Sequence, residues 1–170
     1  MSKSKKITTQ ILIPAYSAQN NALLITLQLE ATPNKKLIIQ TQNSIAIALK
    51  RSLRRAIEIM ASIHPAWETL LQFKYQLSSE ASTYLVKDAR SAGLPLAIGM
   101  INIFRSINHQ LTINSLIGTG ILRIDGSIEA THKEDIKHKV IHTTNAQQLI
   151  TSSICQHVFE LATFMDRQEL

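Results

Sequence analysis

The segment Ser91–Ile107, SAGLPLAIGMINIFRSI, constrains this chain more than any other. Almost everything in it is apolar, and Pro95 falls where a first helical turn tolerates a missing N–H. The pattern predicts a helix buried nearly all round, which other elements have to enclose. The composition is equal to that task. The chain has 170 residues, 45% of them apolar, and a domain of this size buries roughly 70% of the surface its unfolded form exposes. We therefore expect one domain over residues 1–170. Five glycines and four prolines exclude a collagen-like or Gly/Pro-rich class, and the apolar content excludes intrinsic disorder. The longest apolar stretch, Leu94–Ile101, is far short of the ~20 residues that cross a bilayer. The reading is a soluble, cytoplasmic protein with no membrane partner.

The other elements follow from periodicity. Residues 7–16 and 22–31 run apolar or alternate, with polar Gln19-Asn20-Asn21 between them, and predict a hairpin. The lysines Lys3, Lys5 and Lys6 precede apolar residues diluted by Thr8, Thr9, Gln10 and Pro14, which fits a first strand better than a secretory segment. A third strand, 35–41, leads to a helix capped by Asn43 or Ser44. Ile45, Leu49, Leu53, Ala56, Ile57 and Met60 recur on one face of that helix, Lys50, Arg51, Arg54, Arg55 and Glu58 lie on the other, and Pro65 marks the end. Residues 72–77 alternate as a strand does, 78–83 resemble a loop, and Tyr84-Leu85-Val86 is extended. A strand over 115–123 precedes an Asp125-Gly126 turn. Residues 131–139 form a short charged helix or a loop, 139–143 a strand, and 145–165 a closing helix with Leu149, Ile150, Ile154, Val158, Leu161 and Met165 on its apolar face. This order implies an α/β or α+β architecture, with helices packed on a mixed β-sheet.

Several chemistries are disfavoured at once. A lone Cys155 excludes a disulfide framework and multi-Cys zinc sites, and is expected in the core of the last helix. His138 and His142 are four apart but lack a third ligand nearby, so no metal is expected. No Gly-x-x-x-x-Gly-Lys-Ser/Thr occurs, Gly118-Thr119-Gly120 being better explained as a strand irregularity. No cofactor is expected. The balance of 18 basic to 12 acidic side chains is ordinary for a solvated protein, and the basic 50–55 face has no aromatic platform for single strands. Nucleic acid is thus an unlikely partner.

Residues 87–93, KDARSAG, pass from an extended segment directly into the buried helix. A serine there is at a helix N-terminus, where backbone N–H groups and the dipole favour negative charge, although serine is also a common simple cap. KDARSAG followed by LPLAIGMINIF resembles the nucleophile segment of the Lon protease family, Lys-Asp-Gly-Pro-Ser-Ala-Gly before an apolar helix. TGILRIDGSI, residues 119–128, is similar to that family's Thr-Gly-Glu strand and turn, and KKLIIQTQNSIAIALKRSL to the strand and helix that open its proteolytic domain. The similarity spans about residues 20–165, with strong matches in two short blocks. It implies a Lon proteolytic-domain-like, ribosomal-protein-type β-α fold and a serine peptidase acting on peptides or unfolded proteins, with Ser91 as nucleophile. Because the chain lacks the ATPase motif, a separate unfoldase is an implied partner, and the family's rings imply a homo-oligomer.

In that family a lysine activates the serine. Such a lysine must be neutral near pH 7 against an ordinary pKa of ~10.4, a cost of about 4 kcal/mol that burial and neighbouring positive charge supply. Counting from Gly126 without a gap assigns the role to Lys137, aligning IKHKV with the family's Leu-Lys-Glu-Lys-Leu assigns it to Lys139, and reading 136–145 as a strand leaves Lys133. Lys137 is the preferred candidate. The sequence departs from the family at Ala89-Arg90, which replaces Gly-Pro, and in lacking paired glycines ahead of the lysine. GLPLAIGMI with GILRIDGSI also resembles the non-proteolytic domain of magnesium-chelatase-like and competence-type ATPases. That likeness supports the same scaffold, and with the departures it implies an alternative, a catalytically inactive module for binding or assembly.

Overall fold

The computed structural model describes residues 5–16, 19, 21–80, 83, 89–131, 134–139 and 148–168. The architecture is a mixed α+β one, as the element order predicts. Strands β1 (Ile7–Tyr16), β2 (Ala22–Pro33), β3 (Ile38–Thr41) and β4 (Phe73–Ser78) form a four-stranded sheet in the order β1-β2-β4-β3. The β1/β2 and β2/β4 pairs are antiparallel and β3/β4 is parallel. Alternation decides which face is covered. Ile11, Ile13, Leu27, Leu29, Tyr75 and Leu77 are buried, whereas Gln10, Gln28, Gln40, Lys74 and Gln76 are exposed. Pro14, which cannot donate to a ladder, is tolerated because β1 is an edge strand.

Helices α1 (Ile47–Ile63) and α2 (Gly93–Ile107) cover the apolar face. Leu49, Leu53, Ala56, Ile57 and Met60 are buried along one stripe of α1, as their spacing predicts. Helix α2 is buried from Gly93 to Ile103. Its polar residues are satisfied. The Asn102 amide donates to Ile113 O at 2.9 Å and accepts from Ile113 N at 2.8 Å, and buried Arg105 pairs with Asp166 and donates to Leu111 O.

The expected cap of α1 is overturned. The N-cap residue is Ala46, and its amide donates not to Asn43 or Ser44 but to Thr83 Oγ1 at 2.7 Å. The Thr83 amide and hydroxyl donate in turn to Ser44 O, both at 3.1 Å. Helix α1 thus starts without a side-chain cap, and a threonine distant in sequence anchors its N-cap residue instead. Beyond Pro65 the chain forms a 3-10 helix, Pro65–Leu71, which periodicity does not reveal.

The expected strand 115–123 is broken. Strand β5 (Leu116–Gly118) pairs parallel with β8 (Gln148–Ile150), and β6 (Ile121–Leu122) pairs antiparallel with β7 (Ile128–Glu129). Between β5 and β6, Gly120 spends its N–H on Ser91 O and its carbonyl on Leu94 N. The turn at Asp125-Gly126 is present, with Gly126 at φ 85°, a left-handed conformation that glycine adopts without strain.

The closing helix is also corrected. Leu149 and Ile150 belong to β8, and helix α4 runs only from Val158 to Gln168. Residues 151–156 form a turn in which Ile154 N and Cys155 N both donate to Thr151 O, and Thr151 Oγ1 lies 2.7 Å from Ser153 Oγ. These local bonds compete with a helical start. Cys155 is buried as expected, but ahead of the helix rather than within it. Burial pushes its thiol up to about 11, with the Glu160 carboxylate adding to the shift. The short helix expected within 131–139 is α3 (Glu134–His138). The expected strand 139–143 and the extended 84–86 segment lie outside the described residues, apart from Lys139.

Candidate active site

The site begins at a 3-10 turn, Ala89–Ala92, that leads directly into α2. The Ser52 hydroxyl on α1 donates to Ala89 O at 2.9 Å and fixes the turn from one side. Gly120 fixes it from the other. Its N–H donates to Ser91 O at 3.2 Å, and its carbonyl accepts from Leu94 N at 3.0 Å. Ser91 therefore lies inside the 3-10 turn and not at the helix cap, which is Ala92. It is buried, with 5% of its surface exposed. A Cβ on Gly93 would lie 2.9 Å from Leu122 N and 3.0 Å from Leu122 Cβ. Only a residue without a side chain permits the start of α2 to press this closely on β6.

Lys137 arrives on α3, whose first turn is held by Glu134 accepting from Thr131 N at 3.2 Å. Only 3% of Lys137 is exposed. Its Nζ donates to Thr119 Oγ1 at 3.0 Å and lies 6.0 Å from the centre of the Tyr16 ring at the end of β1. Thr119 Oγ1 is also 3.1 Å from Thr131 Oγ1, and the Thr119 amide donates to Ile150 O. One dipeptide thus holds both candidates, Gly120 through the Ser91 backbone and Thr119 through the Lys137 side-chain nitrogen.

The alternative lysines are placed differently. Lys139 is exposed, and Lys133 lies outside the described residues, as do Lys87 and Asp88 of the serine motif. Arg55 of the basic α1 face lines a cleft together with Arg90 and Arg123, while Arg51 and Arg54 are exposed and Arg54 pairs loosely with Glu58 at 4.0 Å. His142 lies outside the described residues, and among those described no group of His, Cys, Asp or Glu is arranged to hold a metal ion. No described helix is long and apolar enough to cross a membrane. Thr119 is the residue that sequence reasoning missed. A threonine between two glycines, interrupting an otherwise apolar extended run, is the signal that marks it.

No protein-family model matches the chain, and no curated protein matches it at a significant level.

Proposed function

We propose that this protein is a Lon-like serine peptidase domain that uses a Ser91–Lys137 dyad on peptides or unfolded proteins. Neutral Lys137 takes the Ser91 proton as Oγ attacks the scissile carbonyl carbon, and then delivers that proton to the departing amine. Water, deprotonated by the same amine, hydrolyses the acyl-enzyme and regenerates the serine. The observation that carries this reading is the burial of Lys137 on Thr119, next to the glycine that binds the Ser91 backbone. By the family resemblance the domain works in the cytoplasm as a homo-oligomer and takes unfolded chains from a separate ATPase.

Turnover of a fluorogenic peptide or casein tests the proposal. Ser91→Ala and Lys137→Ala are each expected to lower it at least about a thousandfold, while Lys139→Ala leaves it unchanged. Full turnover in Ser91→Ala overturns it.

One observation favours a second reading, an inactive module for binding or assembly. The Leu94 N–H, one of the first amides of α2, already donates to Gly120 O and is not available to an oxyanion. Labelling of Ser91 by a fluorophosphonate separates the two, since the module leaves the serine unlabelled.

A further inference from the structure

Helix α4 buries one face and leaves a composite face to solvent. Val158, Leu161 and Met165 are buried, whereas Phe159, Glu160, Thr163 and Arg167 are exposed. At 3.6 residues per turn these four exposed side chains share one stripe. With Ile154 ahead of the helix, itself 38% exposed, they border a hollow of about 370 Å³. Phe159 is 42% exposed and yet held in place. The rings of Trp67, His64 and His157 lie 5.5, 5.7 and 4.6 Å from its own. An exposed aromatic side chain fixed by its neighbours has little freedom left to lose on binding, which suits it to anchor an interface.

The charges on the stripe are ordered. Glu160 is in the first turn of α4 and Arg167 in the last, about 10.5 Å apart along the axis. One oxygen of Glu160 accepts from Gln156 N at 2.9 Å. Asp166 is taken by Arg105, and Arg167 engages no group among the described residues. The midpoint between the two charges falls between Thr163 and Phe164. A two-fold axis at that point lays a second α4 antiparallel on the first. Each Glu160 then faces Arg167 of the other copy, and the short Thr163 side chain sits where the helices cross. The stripe is its own complement in charge and in helix polarity. We infer that α4 pairs with α4 of a second copy, antiparallel across a two-fold, covering Phe159 and Ile154 and forming two Glu160–Arg167 ion pairs. Such an interface is isologous. It goes beyond the peptidase reading and does not rest on it.

Sedimentation equilibrium of the full chain tests the inference at about 10–200 µM, a range suited to the small area that one pair of short helices buries. The wild type is expected to form dimers. Arg167→Glu leaves two glutamates on the stripe and Glu160→Arg leaves two arginines. Each is expected to weaken dimerisation at least about tenfold, and so is Phe159→Ala. Mixed one to one, the two charge variants are expected to pair about as tightly as the wild type, because each copy then meets the opposite sign at both ends. Circular dichroism identifies the folded variants. If Glu160→Arg unfolds through loss of its bond to Gln156, Arg167→Glu and Phe159→Ala decide the matter alone. A wild type that stays monomeric throughout overturns the inference, as does an Arg167→Glu variant that associates as tightly as the wild type. A mixture of folded charge variants that remains monomeric also overturns it. Peptide turnover is scored separately. Dimers without turnover keep the interface and remove the peptidase, whereas turnover by a monomeric wild type does the reverse.

Discussion

Thr119 and Lys137, 18 residues apart in the chain, meet inside the protein, where the lysine nitrogen donates to the threonine hydroxyl at 3.0 Å. Both residues are at most 3% exposed. Taking an acceptor out of a buried polar network is costly, because the desolvated donor loses a hydrogen bond that water does not replace.

Thr119→Val keeps the shape of the residue and removes that acceptor. We expect a loss of about 1–3 kcal/mol in stability, read from the urea midpoint, with Thr119→Ser recovering most of it. If Lys137 is the base, peptide turnover falls in the valine variant and returns with serine. A valine variant as stable as the wild type contradicts the contact.

Gly93→Ala places a methyl group 2.9 Å from the Leu122 backbone nitrogen. Backbone cannot rotate aside as a side chain does, so α2 or β6 has to shift. Overpacking of this kind costs about 1–3 kcal/mol, and each kcal/mol lowers Tm by about 2–4 °C in a chain of this size. Thermal denaturation followed by circular dichroism checks it, and an unchanged Tm contradicts the close approach.

Asp125 supplies a pH signature. Hydrogen bonds from the Ser127 side chain and backbone to its carboxylate hold the Asp125 carboxyl below its usual range, with nearby His157 adding to the effect. A carboxyl depressed in the folded state stabilises it above the ordinary carboxylate pKa, about 3.9. That contribution is lost as pH falls through the lower folded-state value. Wild type and Asp125→Ala are therefore expected to differ in urea midpoint at pH 6 and to converge progressively below about pH 4. A gap that stays constant down to acid pH contradicts the assignment.

What the residues reveal and conceal has a physical pattern. The hairpin, α1 and α2 are long and strongly periodic, so burial alone specifies them. Leu149 and Ile150 mislead because they fit one stripe of a helix reaching Met165, while their real partners are on β5, far away in sequence. The same distance hides Thr83 as the acceptor of the Ala46 amide and Thr119 as the acceptor of Lys137. Ser91 is legible through its neighbours in the chain. The arginine-lined cleft is not, because Arg55, Arg90 and Arg123 converge only once α1, the 3-10 turn and β6 are assembled.

The close seating of Gly93 on Leu122, together with the paired bonds from Gly120 to Ser91 and Leu94, leaves the front of α2 and the strand beside it no freedom to slide apart. Ser52 ties α1 to the same turn through Ala89 O, so helix, turn and strand around Ser91 move as one body or not at all.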